Sequence, residues 1–350
     1  MVPAVKLVPD VGRWRSAVRA SSHPAVMKTT KPIASLSLDL DDQWSYMKTH
    51  GDAGWQSFPS YLDLVVPRIL DLLKAKGLTI TVFIVGQDAA LENNRETLRS
   101  ISDAGHEIGN HSFHHEPWLH LYSERQIETE VAAAEDHIER ATGQKPVGFR
   151  GPGFSLSLST LRTLARRGYL YDASTFPTFT GPLARFLYLR TATLNGEELR
   201  QRRRLFGTFR DGWQPIAPYR WRLDVGGLIE MPVTTMPVLR LPIHVSYLLY
   251  LSGISRALAL WYLSSSLTLC RFTGTHPSLI LHPLDILGSD DTRDLSFFPA
   301  MSLSRGQKTE LVSDVLDLLS ARFTVLTLQE HAMNAAFMSN LPIREPRFHR

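Results

Sequence analysis

Between Ile33 and Leu40 the chain alternates strictly, with Leu36, Leu38 and Leu40 on one side and Ser35, Ser37 and Asp39 on the other, which predicts a β-strand running into Asp41 and Asp42. The period then changes. Tyr61–Lys76 carries Ile69, Leu70, Leu72 and Leu73 on one helical face and stops at Gly77. A strand over 78–85, a helix over 91–104 closed by Gly105, and a short strand over 106–109 follow. Ser123 with Gln126 three residues on opens a helix reaching Thr142. Strands over 147–150 and 169–172 flank a helix from Ser157 to Arg167.

This β/α alternation, free of hairpin signals over the first 175 residues, implies a parallel sheet. A segment rich in Pro, Gly and Arg interrupts it over 181–222, and strands resume at 227–233, 278–282 and 323–328. The eight candidate strands fit either an open doubly wound sheet or a (β/α) barrel. The expected organisation is a flexible N-terminal extension over 1–30, with Met27 as a second plausible start, a catalytic domain over 31–335 with an insertion at 180–226, and a C-terminal tail over 336–350. The stretch 237–270 is apolar on nearly every face but is broken by Arg240, Pro242, His244 and Arg256, so it predicts a helix pair rather than a span of a bilayer.

Composition narrows the class. A chain of 350 residues with 43% hydrophobic and 21% charged content is globular rather than disordered. Thirty-eight basic against 34 acidic residues is too even a balance to suggest a nucleic-acid partner. One cysteine, Cys270, allows no intrachain disulfide and reads as a buried apolar residue, which favours a cytoplasmic location, membrane-peripheral if the 237–270 segment meets lipid.

The candidate chemistry stands at strand ends. Asp41 and Asp42 follow the first strand, His111 and His115 follow the third, and Arg150 and His282 end two others. Two imidazoles four residues apart on one side of a helical turn, with one carboxylate from Asp42, make a ligand set suited to zinc and its neighbours that leaves positions open for water. A solvated, histidine-rich helix start is the bland alternative, and the convergence of four strand ends argues against it.

These residues carry a family resemblance. Asp39-Leu40-Asp41-Asp42-Gln43, His111-Ser112-Phe113-His114-His115, Arg150-Gly151-Pro152-Gly153, Asp172 and Leu281-His282, with VFIVG and AGHEIGNHS around them, resemble the motifs of the polysaccharide deacetylases, the NodB-homology domain of carbohydrate esterase family 4. The resemblance covers about 33–330. It implies a distorted (β/α) barrel of about seven or eight strands and hydrolysis of an N-acetyl group on an amino sugar. Carried over by position, it makes Asp42, His111 and His115 ligands of one divalent metal, most simply zinc. Asp41 becomes the general base, His282 the general acid, Arg150 the residue that steadies the base and Asp172 the carboxylate that tunes the acid. Gln43 stands where the family has glycine, and Asp39 adds a third acid that competes as base or ligand.

A backbone N–H near Gly153 or Phe154 is expected to stabilise the oxyanion. Trp213, Tyr219 and Trp221 lie among Arg200 and Arg202–Arg204 in the insertion, where they either stack on a sugar or pack the insertion down. The expected substrate is an N-acetylated glycan or lipid-linked sugar, with a peripheral membrane or homo-oligomer contact through 237–270. A C–N hydrolase acting on a non-glycan amide such as a ureide, and a catalytically silent glycan-binding protein, are the competing readings.

Overall fold

A computed structural model describes residues 30–183, 186, 196 and 207–348. The 1–29 extension with Met27, and Arg200 with Arg202–Arg204, lie outside the described residues. Ten strands are described: β1 (Ile33–Leu40), β2 (Thr81–Ile84), β3 (Glu107–Asn110), β4 (Gly148–Phe149), β5 (Tyr171–Asp172), β6 (Tyr219–Leu223), β7 (Gly226–Glu230), β8 (Ser278–Leu281), β9 (Thr324–Leu326) and β10 (Ile343–Arg344). Their order is β10-β6-β7-β5-β4-β3-β2-β1-β8, and β9 pairs with the start of β1. Every pairing is parallel except that of β6 with β7. Beyond β7 the Thr234 N–H donates to the Ser278 carbonyl of β8 at 2.9 Å, which closes the ring. The architecture is the expected distorted (β/α) barrel.

The alternation in β1 explains its packing. Leu36, Leu38 and Leu40 are buried in the main apolar cluster, against Val65, Val66 and Ile69 of helix α1 (Leu62–Lys76). The opposite face lies inside the barrel and is polar: Ser35 meets His331, and Ser37 receives a hydrogen bond from Arg150. Further round, Glu107 accepts from Thr81 and from the Tyr171 hydroxyl. Two glycines make room for rings there. A Cβ on Gly148 would lie 2.0 Å from Tyr171, and one on Gly109 would lie 2.4 Å from Phe83.

The interrupting segment holds a strand that the sequence reading left out. β6 forms a hairpin with β7, burying Tyr219, Trp221 and Leu223 while Arg220 and Arg222 turn outward. Tyr219 and Trp221 therefore pack the segment down, and the Trp221 indole N–H donates to Glu230 at 2.7 Å. In the 336–350 stretch, Ile343–Arg344 adds a parallel edge strand to β6. The apolar 237–270 stretch forms the expected pair, α2 (Val245–Ser252) and α3 (Arg256–Phe272). Leu248, Leu249, Leu263 and Cys270 are core residues, so they form no part of a surface patch; Tyr250, Ile254, Trp261 and Phe272 are exposed. Among the described residues no helix is long and apolar enough to cross a membrane.

Candidate metal centre

Asp41, His111 and His115 present ligand atoms that all lie within 4.8 Å of one another, and all three residues are buried. Asp41 Oδ1 is 3.2 Å from His111 Nε2 and 3.0 Å from His115 Nε2. Asp41 Oδ1 and His115 Nε2 have no hydrogen-bond partner. Buried polar atoms left unpaired are costly, and one carboxylate oxygen with two imidazole nitrogens is the donor chemistry of a divalent cation. The residues present fit such an ion.

Asp42 does not join them. Neither imidazole lies within ion-pair distance of its carboxylate; instead Oδ1 accepts from the Gln43 N–H at 2.7 Å and the Tyr61 N–H at 3.0 Å, capping the helix Gln43–His50. Burial pushes its carboxyl up to about 6. The reason is strand geometry. Side chains two residues apart share a face, so the interior row Ser35, Ser37, Asp39 continues to Asp41, and Asp42 falls at the position where an aspartate caps a helix. The structure thus brings Asp41, and not the expected Asp42, to the two imidazoles.

Asp39, the next carboxylate inward, is gripped at Oδ1 by Arg150 Nη1 at 2.6 Å, while Oδ2 stands 3.9 Å from His111 Nε2. Arg150 is fully buried: it also donates to Ser37 Oγ at 2.8 Å and the Ala173 carbonyl at 3.0 Å, and its guanidinium lies 4.4 Å from the centre of the Phe83 ring. The carboxylate that Arg150 steadies is Asp39, not Asp41. Burial alone would lift the Asp41 carboxyl, but His115 and His111 outweigh it and hold it well below its ordinary value.

The imidazoles are aimed by their surroundings. His111 Nδ1 is 2.7 Å from the Arg150 carbonyl, which accepts only, so Nδ1 carries the proton and Nε2 offers a lone pair. The loop to His115 is strained, with Ser112 and His115 at φ of 61° and 51°. It is fastened where Glu130 Oε2 accepts from the Phe113 and His114 N–H groups at 3.1 and 3.0 Å, and where the Gly86 and Gln87 N–H groups donate to the Ser112 and Phe113 carbonyls.

His282 ends β8, whose Leu281 pairs with Leu38, so His282 follows at the level of Asp39. Asp172 does not contact it. Asp172 accepts from the Ser174 N–H and hydroxyl and is paired with Glu230; burial raises both carboxyls. The carboxylate beside His282 is Asp285, which sequence reasoning missed although His282 and Asp285 show the spacing of a turn that caps itself. The Phe154 N–H is engaged by the Gly151 carbonyl at 2.9 Å, which leaves the Gly153 N–H as the oxyanion candidate of the two. Trp213 is 81% exposed and meets the Phe179 ring edge-on at 5.2 Å.

Residues 42–171 match the sequence profile of the polysaccharide deacetylases, a span that holds His111, His115 and Arg150 but neither Asp39 nor His282. Over 109 residues the chain is 33% identical to a peptidoglycan deacetylase of Helicobacter pylori, covering 31% of this chain and 36% of that protein. Over 104 residues it is 35% identical to a peptidoglycan-N-acetylmuramic acid deacetylase of Bacillus subtilis, covering 29% and 38%. The chain thus spans little more than a third of the length of these relatives. In fold, it is similar to a Mycobacterium smegmatis structure assigned to the polysaccharide deacetylases, with a TM-score of 0.57 at 19% identity over 92% of this chain and 97% of that one.

Proposed function

We propose that this chain, whose residues 42–171 match the polysaccharide deacetylase family, is a hydrolase that removes an N-acetyl group from an amino sugar of a cell-wall glycan. Asp41, His111 and His115 hold one divalent ion, and their donor set suits zinc. The observation that carries the reading is the Asp39 carboxylate, fixed at one oxygen by buried Arg150 and presenting the other 3.9 Å from His111 Nε2. When bound, a divalent ion there supplies positive charge that acidifies water and polarises an acyl oxygen. Asp39 Oδ2 takes the proton from the attacking water, Arg150 holds the carboxylate in place, and His282 delivers a proton to the departing nitrogen. The Gly153 N–H supports the oxyanion. The glycan follows from the relatives, both named for peptidoglycan.

Acetate release from peptidoglycan fragments and chito-oligosaccharides, measured before and after a chelator and again after zinc is restored, tests this. Release that stops with chelator and returns with zinc supports it. Chelator-insensitive release, or hydrolysis of a ureide with no release from any glycan, contradicts it. A lipid-linked substrate is supported by Tyr250, Ile254, Trp261 and Phe272 being exposed on the α2–α3 helices and the turn that joins them. Co-sedimentation with anionic liposomes that is lost in Trp261→Asp checks that finer reading, and no co-sedimentation refutes it.

A further inference from the structure

We propose that Ser246 and Asp285 are positioning residues that fix the tautomer of His282 and so present its Nε2 to the substrate. The inference rests on His282 being the proton donor proposed above. After β8 the chain makes a single turn over Pro283–Asp285 and closes on itself: the His282 N–H donates to Asp285 Oδ2 at 2.8 Å, and the Asp285 N–H donates to the His282 carbonyl at 2.9 Å. The other carboxylate oxygen, Oδ1, accepts from the Ser246 hydroxyl at 2.8 Å, and that hydroxyl lies 3.2 Å from His282 Nδ1.

Counting protons settles the direction. A serine hydroxyl has one proton, and an ionised carboxylate can only accept. With that proton given to Asp285, the hydroxyl oxygen can meet Nδ1 only as acceptor, so Nδ1 carries hydrogen and Nε2 is the nitrogen left for the substrate.

The placement is built rather than incidental. Ser246 sits in the first turn of α2, which is anchored in the core by Leu248 and Leu249. Lys308, from the helix Arg305–Arg322, fastens the same turn by donating to the Leu284 carbonyl at 2.7 Å. The other titratable groups facing this cluster are His244, whose ring centre is 5.9 Å from that of His282, and Tyr46, whose hydroxyl is raised by burial and then by Asp41, Tyr61 and Asp285. Burial, with His282 adding to it, drives the His244 imidazole well below its ordinary value, so it stands neutral beside the donor. The carboxylate expected in the supporting role, Asp172, is committed to Ser174 and Glu230.

The test uses the full chain labelled with 15N-histidine, with the His282 signals identified by their loss in His282→Gln. Neutral His282 should show hydrogen on Nδ1. In Ser246→Ala the tautomer should shift toward Nε2–H, with Ser246→Thr restoring Nδ1–H. Asp285→Asn should shift it in the same direction. In Ser246→Ala kcat should fall while KM stays within about twofold. An unchanged tautomer in Ser246→Ala, or a tautomer shift produced by Asp172→Asn instead, overturns the proposal. The resonance measurement needs no turnover, so it decides the point even if no glycan is deacetylated. If Asp285→Asn fails to fold, the Ser246→Ala and Ser246→Thr pair carries the test.

Discussion

Truncating Glu130 should loosen the ion site without touching a ligand. The segment from His111 to His115 holds two residues at positive φ, a conformation that costs on the order of 1–3 kcal/mol each and persists only where neighbours enforce it. Glu130, 6% exposed, accepts two loop N–H groups at 3.1 and 3.0 Å. A hydrogen bond to a charged acceptor contributes about 1.5–3 kcal/mol, so losing two costs about 3 kcal/mol after partial rehydration. The ion pair with His114 adds less than about 1 kcal/mol, because that imidazole is 54% exposed. Glu130→Ala should therefore lower Tm by about 4 °C and weaken zinc binding about 10–100-fold. Glu130→Gln, which keeps an oxygen for both N–H groups, should lose far less. Burial raises the Glu130 carboxyl, but His114 and the loop N–H groups outweigh it and the net shift is downward, so its contribution is complete above the ordinary value of 4.5 and fades as pH falls through the depressed one. Competition with a chromogenic chelator and thermal unfolding read both effects. Wild-type zinc affinity in Glu130→Ala would refute the reasoning.

Glu230, fully buried and facing Asp172, has its carboxyl raised well above 4.5 by burial and then by Asp172. Its contribution is complete below 4.5 and is lost as pH rises through the elevated value, so urea unfolding of wild type should show stability declining over that range, and Glu230→Gln should flatten the decline. Gly148→Ala would set a Cβ 2.0 Å from the Tyr171 ring inside the barrel, and should cost at least about 3 kcal/mol or prevent soluble expression. Wild-type unfolding of that variant would show that the ring has room to move.

Much of the architecture was legible because periodicity reports which face a residue joins, even in β1, where the apolar and the polar face are both buried. Alternation in 33–40 and the Ser123–Gln126 capping box both match the structure, the box with each of its reciprocal hydrogen bonds present. β6 was obscured because its outward positions are arginines in a segment dense with basic and turn residues, although Tyr219, Trp221 and Leu223 alternate inward. At the site, adjacency drew attention to Asp41 and Asp42, whereas the carboxylates that stand by the imidazoles are Asp39 and Asp41. The strand's own period of two selects Asp39 and Asp41, and the helix that follows claims Asp42 as its cap. The Asp285–Ser246 contact was not legible, since Ser246 precedes His282 by 36 residues and reaches it only through the docking of α2.

The division of labour among the three aspartates is tested by elemental analysis of Asp39→Asn, Asp41→Asn and Asp42→Asn, each purified alongside wild type and assayed for acetate release. Asp41→Asn should lose most of a near-stoichiometric divalent ion. Asp39→Asn should keep the ion yet lose activity by about a hundredfold or more, and Asp42→Asn should keep the ion, since asparagine caps a helix as well as aspartate does. Loss of the ion in Asp42→Asn with retention in Asp41→Asn would contradict the account.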